Sequence, residues 1–140
     1  MEQKDAMLMQ NAKFYQAFEL GDMEALTDVW GHGQNVKCIH PGWSLLVGWN
    51  EVKQSWQNIF ESGVSMKFSL RDVKAEVYGN VGVVVLMEEI TYVDGSITHT
   101  GAVVATNLFE YDGHAWKMIH HHGSPLVSSD QDDSGAYKYN

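Results

Sequence analysis

The sequence predicts an α+β domain, with helices gathered in the first part of the chain and a mostly antiparallel sheet after them. Two observations carry this expectation. Apolar residues recur at helical spacing up to Phe60, and at a spacing of two from Met66 onward. Turn signals then punctuate the second half at Gly79-Asn80, Val93-Asp94-Gly95 and Asp112-Gly113. Helical runs followed by hairpin-linked strands are the pattern of helices packed on one face of a curved sheet.

Residues 3–20 read as a helix, with Met7, Phe14, Ala17 and Phe18 near one face and Gly21 ending it. Asp22 is a good N-cap for a second, short helix, with Glu24 in its first turn and Met23, Leu26 and Trp30 along one side. A turn over 31–35 leads to a short strand, 36–39, and then to His40-Pro41-Gly42. Residues 43–47 read as a partner strand. Asn50 is the expected N-cap of a third helix over 51–61, whose apolar stripe is Val52, Trp56, Ile59 and Phe60, with Gly63 as its stop. Met66, Phe68 and Leu70 alternate with polar residues, and so do Val73, Ala75 and Val77. The change of phase near Arg71-Asp72 predicts a bulge. Strands over 81–92, 98–111 and 116–122 complete the sheet. The stretch Val81–Leu86 is apolar on both faces, so both faces need cover.

Composition narrows the class. The chain has 140 residues, 44% of them hydrophobic, which is enough for one domain of about ordinary size. Residues 1–127 read as that domain, and 128–140 as a polar, acidic tail. A net charge of −9 with no cluster of Lys or Arg argues against nucleic acid and against anionic membrane surfaces. The single cysteine, Cys38, allows no intrachain disulfide. No signal-peptide pattern and no membrane-length apolar run is found, so a cytoplasmic location is expected.

The segment W-K-M-I-H-H-H-G-S-P, 116–125, holds the densest chemistry. Strand alternation puts Met118, His120 and His122 on one face, with Lys117, Ile119 and His121 on the other. Lys117 prefers water, so His120 and His122 are expected inside and His121 at a surface or interface. Val36, Cys38 and His40 share a face, as do Ala105, Asn107 and Phe109. Glu88 and Glu89 lie on opposite faces, and parity does not choose between them.

The motifs G-D-M-E-A-L-T-D-V-W (21–30), C-I-H-P-G (38–42), V-K-Q-S-W (52–56), T-N-L-F (106–109), D-G-H-A-W (112–116) and H-H-H-G-S-P (120–125) resemble the nuclear transport factor 2-like superfamily. The likeness is greatest to its SnoaL-like group, related to polyketide cyclases, ketosteroid isomerases and the association domain of calcium/calmodulin-dependent kinase II. The resemblance implies a cone-shaped NTF2-like fold, three N-terminal helices on the concave face of the sheet, an interior cavity, and a homodimer through the convex face. It also places Asn107 and Glu88 inward.

The expected site therefore holds His40, Glu88, His120 and His122 as acid–base groups. Trp30, Cys38, Trp56, Phe60, Asn107, Phe109 and Met118 are the expected ligand-binding walls. A His or Glu in an apolar cavity has a displaced pKa and can move a proton. The expected function is binding of a small, partly apolar carbonyl compound, with proton-transfer chemistry of the isomerase or cyclase type. Two alternatives stand beside it: a dimerisation or assembly module, and an enzyme with a metal held by His40, His120 and His122. No metal and no cofactor is assigned. Ketosteroid isomerase uses a carboxylate base, and Asp22, Asp28 and Asp72 fall at cap, surface or bend positions unsuited to it. The kinase association domain binds anions through Arg, and Arg71 is the only arginine in this chain.

Overall fold

The computed structural model of the protein describes residues 2–126, so the tail over 128–140 lies outside the described residues. The elements are helices α1 (Gln3–Leu20), α2 (Met23–Val29) and α3 (Trp49–Glu61), with strands β1 (Lys37–Ile39), β2 (Leu46–Val47), β3 (Met66–Tyr78), β4 (Val81–Asp94), β5 (Ile97–Tyr111) and β6 (Trp116–Pro125). The strands form one six-stranded sheet in the order β2-β1-β6-β5-β4-β3. Only β1 and β6 run parallel; the other neighbours are antiparallel. No helix among the described residues is long and apolar enough to cross a membrane.

Local chemistry sets the boundaries. Gly21 ends α1 in the left-handed region (φ 65°), and the Asp22 N–H returns to the Ala17 carbonyl at 2.9 Å. Asp22 then caps α2 through Oδ1, which accepts from the Ala25 N–H at 3.1 Å. Helix α3 departs from expectation. It starts at Trp49, with Gly48 rather than Asn50 at the cap, and β2 spans only two residues. Gly48 adopts φ 90° and a Cβ there would lie 3.3 Å from the Gln34 carbonyl oxygen, so the chain turns where only glycine is comfortable. Glu51 accepts the Val47 N–H at 3.0 Å and steadies the same entry.

Helix α1 is tied across the concave face at both ends. Gln10 donates to the Trp116 carbonyl at 2.8 Å, and the Trp116 indole donates to Gln3 at 3.1 Å. At the far end Glu19 accepts the Phe68 N–H of edge strand β3 at 2.9 Å. The core fills the space between: Met7, Phe14, Leu26, Val52, Trp56, Leu86, Phe109 and Met118 are buried. Two bulges bend the sheet. One falls between Arg71 and Lys74, where Asp72 takes φ 54°. The other interrupts the β5–β6 ladder.

Candidate functional site

The second bulge decides the site. Leu108 pairs with His120, but Phe109 pairs with Met118, so Ile119 is the extra residue. Past it the alternation inverts. Met118 faces inward as expected, and so does His121, which is only 2% exposed. His122 is exposed and His120 half-buried on the outer face. The expectation that His120 and His122 line the interior is thereby corrected, as is that of His121 at a surface. The trio His40, His120 and His122 is split between faces. Among the described residues, no group of three His, Cys, Asp or Glu side chains is placed to hold a metal ion.

A buried polar cluster occupies the concave side. Glu88 from β4 is 2% exposed and accepts from the Tyr15 hydroxyl of α1 at 2.5 Å. Asn107 from β5 donates through Nδ2 to the Tyr15 oxygen at 3.1 Å and to Asn11 Oδ1 at 2.9 Å. That orientation leaves Asn107 Oδ1 as an acceptor for His121 Nδ1, 2.6 Å away, so the His121 proton sits on Nδ1. A second pair lies on β1 and α3. Ser55 donates to the Val52 carbonyl at 2.7 Å, so its oxygen is free to accept from His40 Nε2 at 2.9 Å. Cys38 lies beside His40, with Sγ 3.6 Å from Nε2, and is the register partner of His121. The Trp56 ring neighbours both histidines, with ring centroids 4.7 Å from His40 and 6.0 Å from His121.

Burial dominates the electrostatics. It raises the Glu88 carboxyl to about 7, against a smaller lowering by the Tyr15 hydrogen bond. It raises the Tyr15 hydroxyl too, with the Glu88 charge adding to the effect. It lowers His40 to about 4. It lowers His121 to about 3, helped by repulsion from His40, His120 and His122. Both interior histidines are therefore neutral near pH 7. Burial also pushes the Cys38 thiol well above its ordinary value, which removes it as a nucleophile.

The remaining expected residues divide. Trp56 and Asn107 belong to the cluster. Trp30, Phe109 and Met118 are fully buried in the apolar core, where Trp30 bridges to Met118 by backbone pairing. Phe60 is half-buried and packs on Trp56 and Phe18. Two surface clefts lie over the helices, and the first shares Ser55 with the cluster. One of about 470 Å³ runs along Trp43, Leu46, Gln54 and Ser55. Another of about 250 Å³ lies against Phe18, Phe60, Val64 and Met66. Phe18 and Phe68, with centroids 4.5 Å apart, stand between that second cleft and Tyr15.

The SnoaL-like domain family matches residues 8–128. The chain belongs to that family. Among curated proteins, the F-box protein SKIP8 of Arabidopsis thaliana is 32% identical over 126 residues, covering 90% of this chain and 52% of that protein. This SnoaL-like chain thus spans about half the length of that relative. A proposed dehydratase of the NTF2-like family from Streptomyces avermitilis has a TM-score of 0.82 at 33% identity, over 89% of this chain and 96% of that one. A proposed calcium/calmodulin-dependent protein kinase type II association domain from Thiobacillus denitrificans has a TM-score of 0.76 at 27% identity, over 84% and 93%. The fold of this SnoaL-like domain is NTF2-like.

Sequence reasoning missed Tyr15, Asn11 and Ser55. The signal for all three was present. Asn11 and Tyr15 continue the Met7 row at steps of four, so a polar pair sat on the buried stripe of α1. Ser55 stands beside Trp56 and three residues after Val52, again on a buried face.

Proposed function

We propose that this SnoaL-like domain binds a small, partly apolar carbonyl compound on its concave side and moves a proton with Glu88. The observation that carries the reading is the buried Glu88 carboxyl, held by Tyr15 in a cluster otherwise composed of neutral groups. A carboxyl with a pKa of about 7 is populated in both forms near neutrality, as a general acid–base group needs. As carboxylate, Glu88 takes the proton from the carbon beside the carbonyl. The C–H electron pair forms a carbon–carbon double bond, and the carbonyl oxygen becomes an enolate. Return of the proton to a different carbon is an isomerisation. Expulsion of a β-hydroxyl, protonated as it leaves, is a dehydration. The 33% identity to a proposed dehydratase supports this class of chemistry. Tyr15 holds Glu88, Asn107 donates to Tyr15 in turn, and His121 fixes Asn107; ligand entry past Phe18 and Phe68 requires those rings to move.

The test is solvent exchange. Cyclohexanone in deuterium oxide gains deuterium beside its carbonyl, and mass spectrometry follows the rate. Wild-type protein is expected to accelerate the gain, and Glu88→Gln to reduce the acceleration by at least about a hundredfold. A wild-type rate equal to that of buffer would sink the proposal.

The second reading, assembly, rests on the outer face of the sheet. Val83, Val85 and Met87 on β4 pair with Leu108, Thr106 and Val104 on β5, giving an apolar stripe with no cover among the described residues. We take this face as the interface of a homodimer, which is compatible with the interior chemistry.

A further inference from the structure

We propose that the indole N–H of Trp56 anchors the ligand by donating a hydrogen bond to a neutral oxygen, a ketone or aldehyde carbonyl rather than a carboxylate or phosphate. This rests on the reading that the concave interior takes a small carbonyl compound, and it names the group that recognises its oxygen and the charge that group rejects.

Trp56 is 0% exposed, and its Nε1 has no hydrogen-bond partner among the described residues. A buried donor without an acceptor is rare and costly, because folding strips its water and returns nothing. The neighbouring polar groups do not supply the acceptor. Asn107 spends both oxygen and nitrogen on His121, Asn11 and Tyr15. Ser55 is occupied by Val52 and His40. Trp30 also carries an unpaired indole N–H. Its ring neighbour is Trp49, however, which stacks on the exposed His32, and no ring contact joins Trp30 to His40 or His121 among the described residues. Trp56 is different: its ring is packed by His40, His121, Phe14, Phe18 and Phe60.

The surroundings select the charge of the ligand group. An indole N–H can only donate, so the group must be an acceptor. No Lys or Arg is among the buried residues described, and both histidines beside Trp56 are neutral near pH 7. An anion would enter without a counter-charge and with Glu88 nearby, which is unfavourable. A neutral carbonyl has no such penalty, and the rings of Phe14, Phe18 and Phe60 suit an apolar body.

Three probes of one shape isolate the oxygen: cyclohexanone, methylenecyclohexane and cyclohexanecarboxylate. The readout is the indole ¹⁵N–¹H spectrum of the full chain at neutral pH, in which the Trp56 signal is identified by its loss in Trp56→Phe. Cyclohexanone is expected to move that signal downfield, and methylenecyclohexane to leave it in place. Cyclohexanecarboxylate is expected to bind at least about tenfold more weakly, and Trp56→Phe to weaken cyclohexanone about tenfold. Should Trp56→Phe not fold, benzothienylalanine at position 56 keeps the bicyclic volume and removes only the N–H. The proposal is overturned if cyclohexanone shifts signals of His121 and Asn107 while that of Trp56 stays fixed, or if the variant binds as wild type does. It is also overturned if the carboxylate binds as tightly as the ketone. Failure of the underlying reading looks different: no interior signal of the wild-type protein then responds to any of the three probes.

Discussion

Glu88 and the two buried histidines respond to acid in opposite directions. Burial holds Glu88 at about 7 instead of 4.5, so between those values the folded chain keeps a proton that the unfolded chain releases. Its contribution to stability falls as pH rises through that window. His40 is held at about 4 and His121 at about 3, against 6.5 when unfolded. Their contribution is complete above 6.5 and is lost as pH falls, because the unfolded chain takes protons that the folded chain refuses. Two imidazoles outweigh one carboxyl between 4.5 and 6.5. The thermal midpoint is therefore expected to drop between about pH 7 and pH 5, with His40→Asn, which leaves one imidazole against one carboxyl, removing most of the drop and Glu88→Gln enlarging it. Comparing variants with wild type cancels the titration of the rest of this acidic chain. A drop that grows in His40→Asn, or shrinks in Glu88→Gln, would reverse these signs and overturn the assignment of the buried charges.

At the scale of the element, one residue in β6 governs which histidine is chemical. Lys117 outward and Met118 inward are legible in the sequence, since they differ in polarity. Ile119 then adds one residue inside a run of identical histidines, which offers no apolar–polar contrast to mark the slip. The bulge in β3 was legible because the apolar phase itself changes, from Met66, Phe68 and Leu70 to Ala75 and Val77. Glu88 against Glu89 was not legible from alternation, because β4 is apolar on both faces and parity has nothing to bite on; only the family resemblance put Glu88 inward. Gly82 shows the same limit. In the sequence it is a gap in a valine run. In the fold it lies under α1, where a Cβ would collide with Met7 Sδ in the sealed core. Gly82→Ala is expected to destabilise by about 1–3 kcal/mol in urea unfolding, despite the better strand propensity of alanine. Adding Met7→Val, which shortens the obstructing side chain, is expected to recover part of that loss. A neutral Gly82→Ala would mean that Met7 moves aside freely.

At the scale of the whole molecule, the described helices pack on one side of the sheet. Its outer face presents Val83, Val85, Met87, Val104 and Leu108, with His120 and His122 along the β6 margin and Lys74 and Glu76 along β3. Val104 is 39% exposed, while its neighbours are half-buried by one another. A stripe of this kind gains by being removed from water, and a second copy supplies a matching apolar surface through a two-fold axis. A lysine in its centre would have to be desolvated twice in such a dimer, once from each copy. Val85→Lys also stands opposite Lys74, which adds like-charge repulsion. Light scattering at micromolar concentration is expected to give twice the chain mass for wild type and one chain mass for Val85→Lys, with the circular dichroism of the fold retained. A monomeric wild type, or a variant that stays dimeric, rules out this face as the interface. A mass well above two chains would instead favour the assembly-module reading. The interior chemistry gives an independent check on the same variant. The Glu88 cluster is built within one chain, from α1, β4, β5 and β6, so Val85→Lys is expected to keep its deuterium-exchange rate even as it falls apart into monomers.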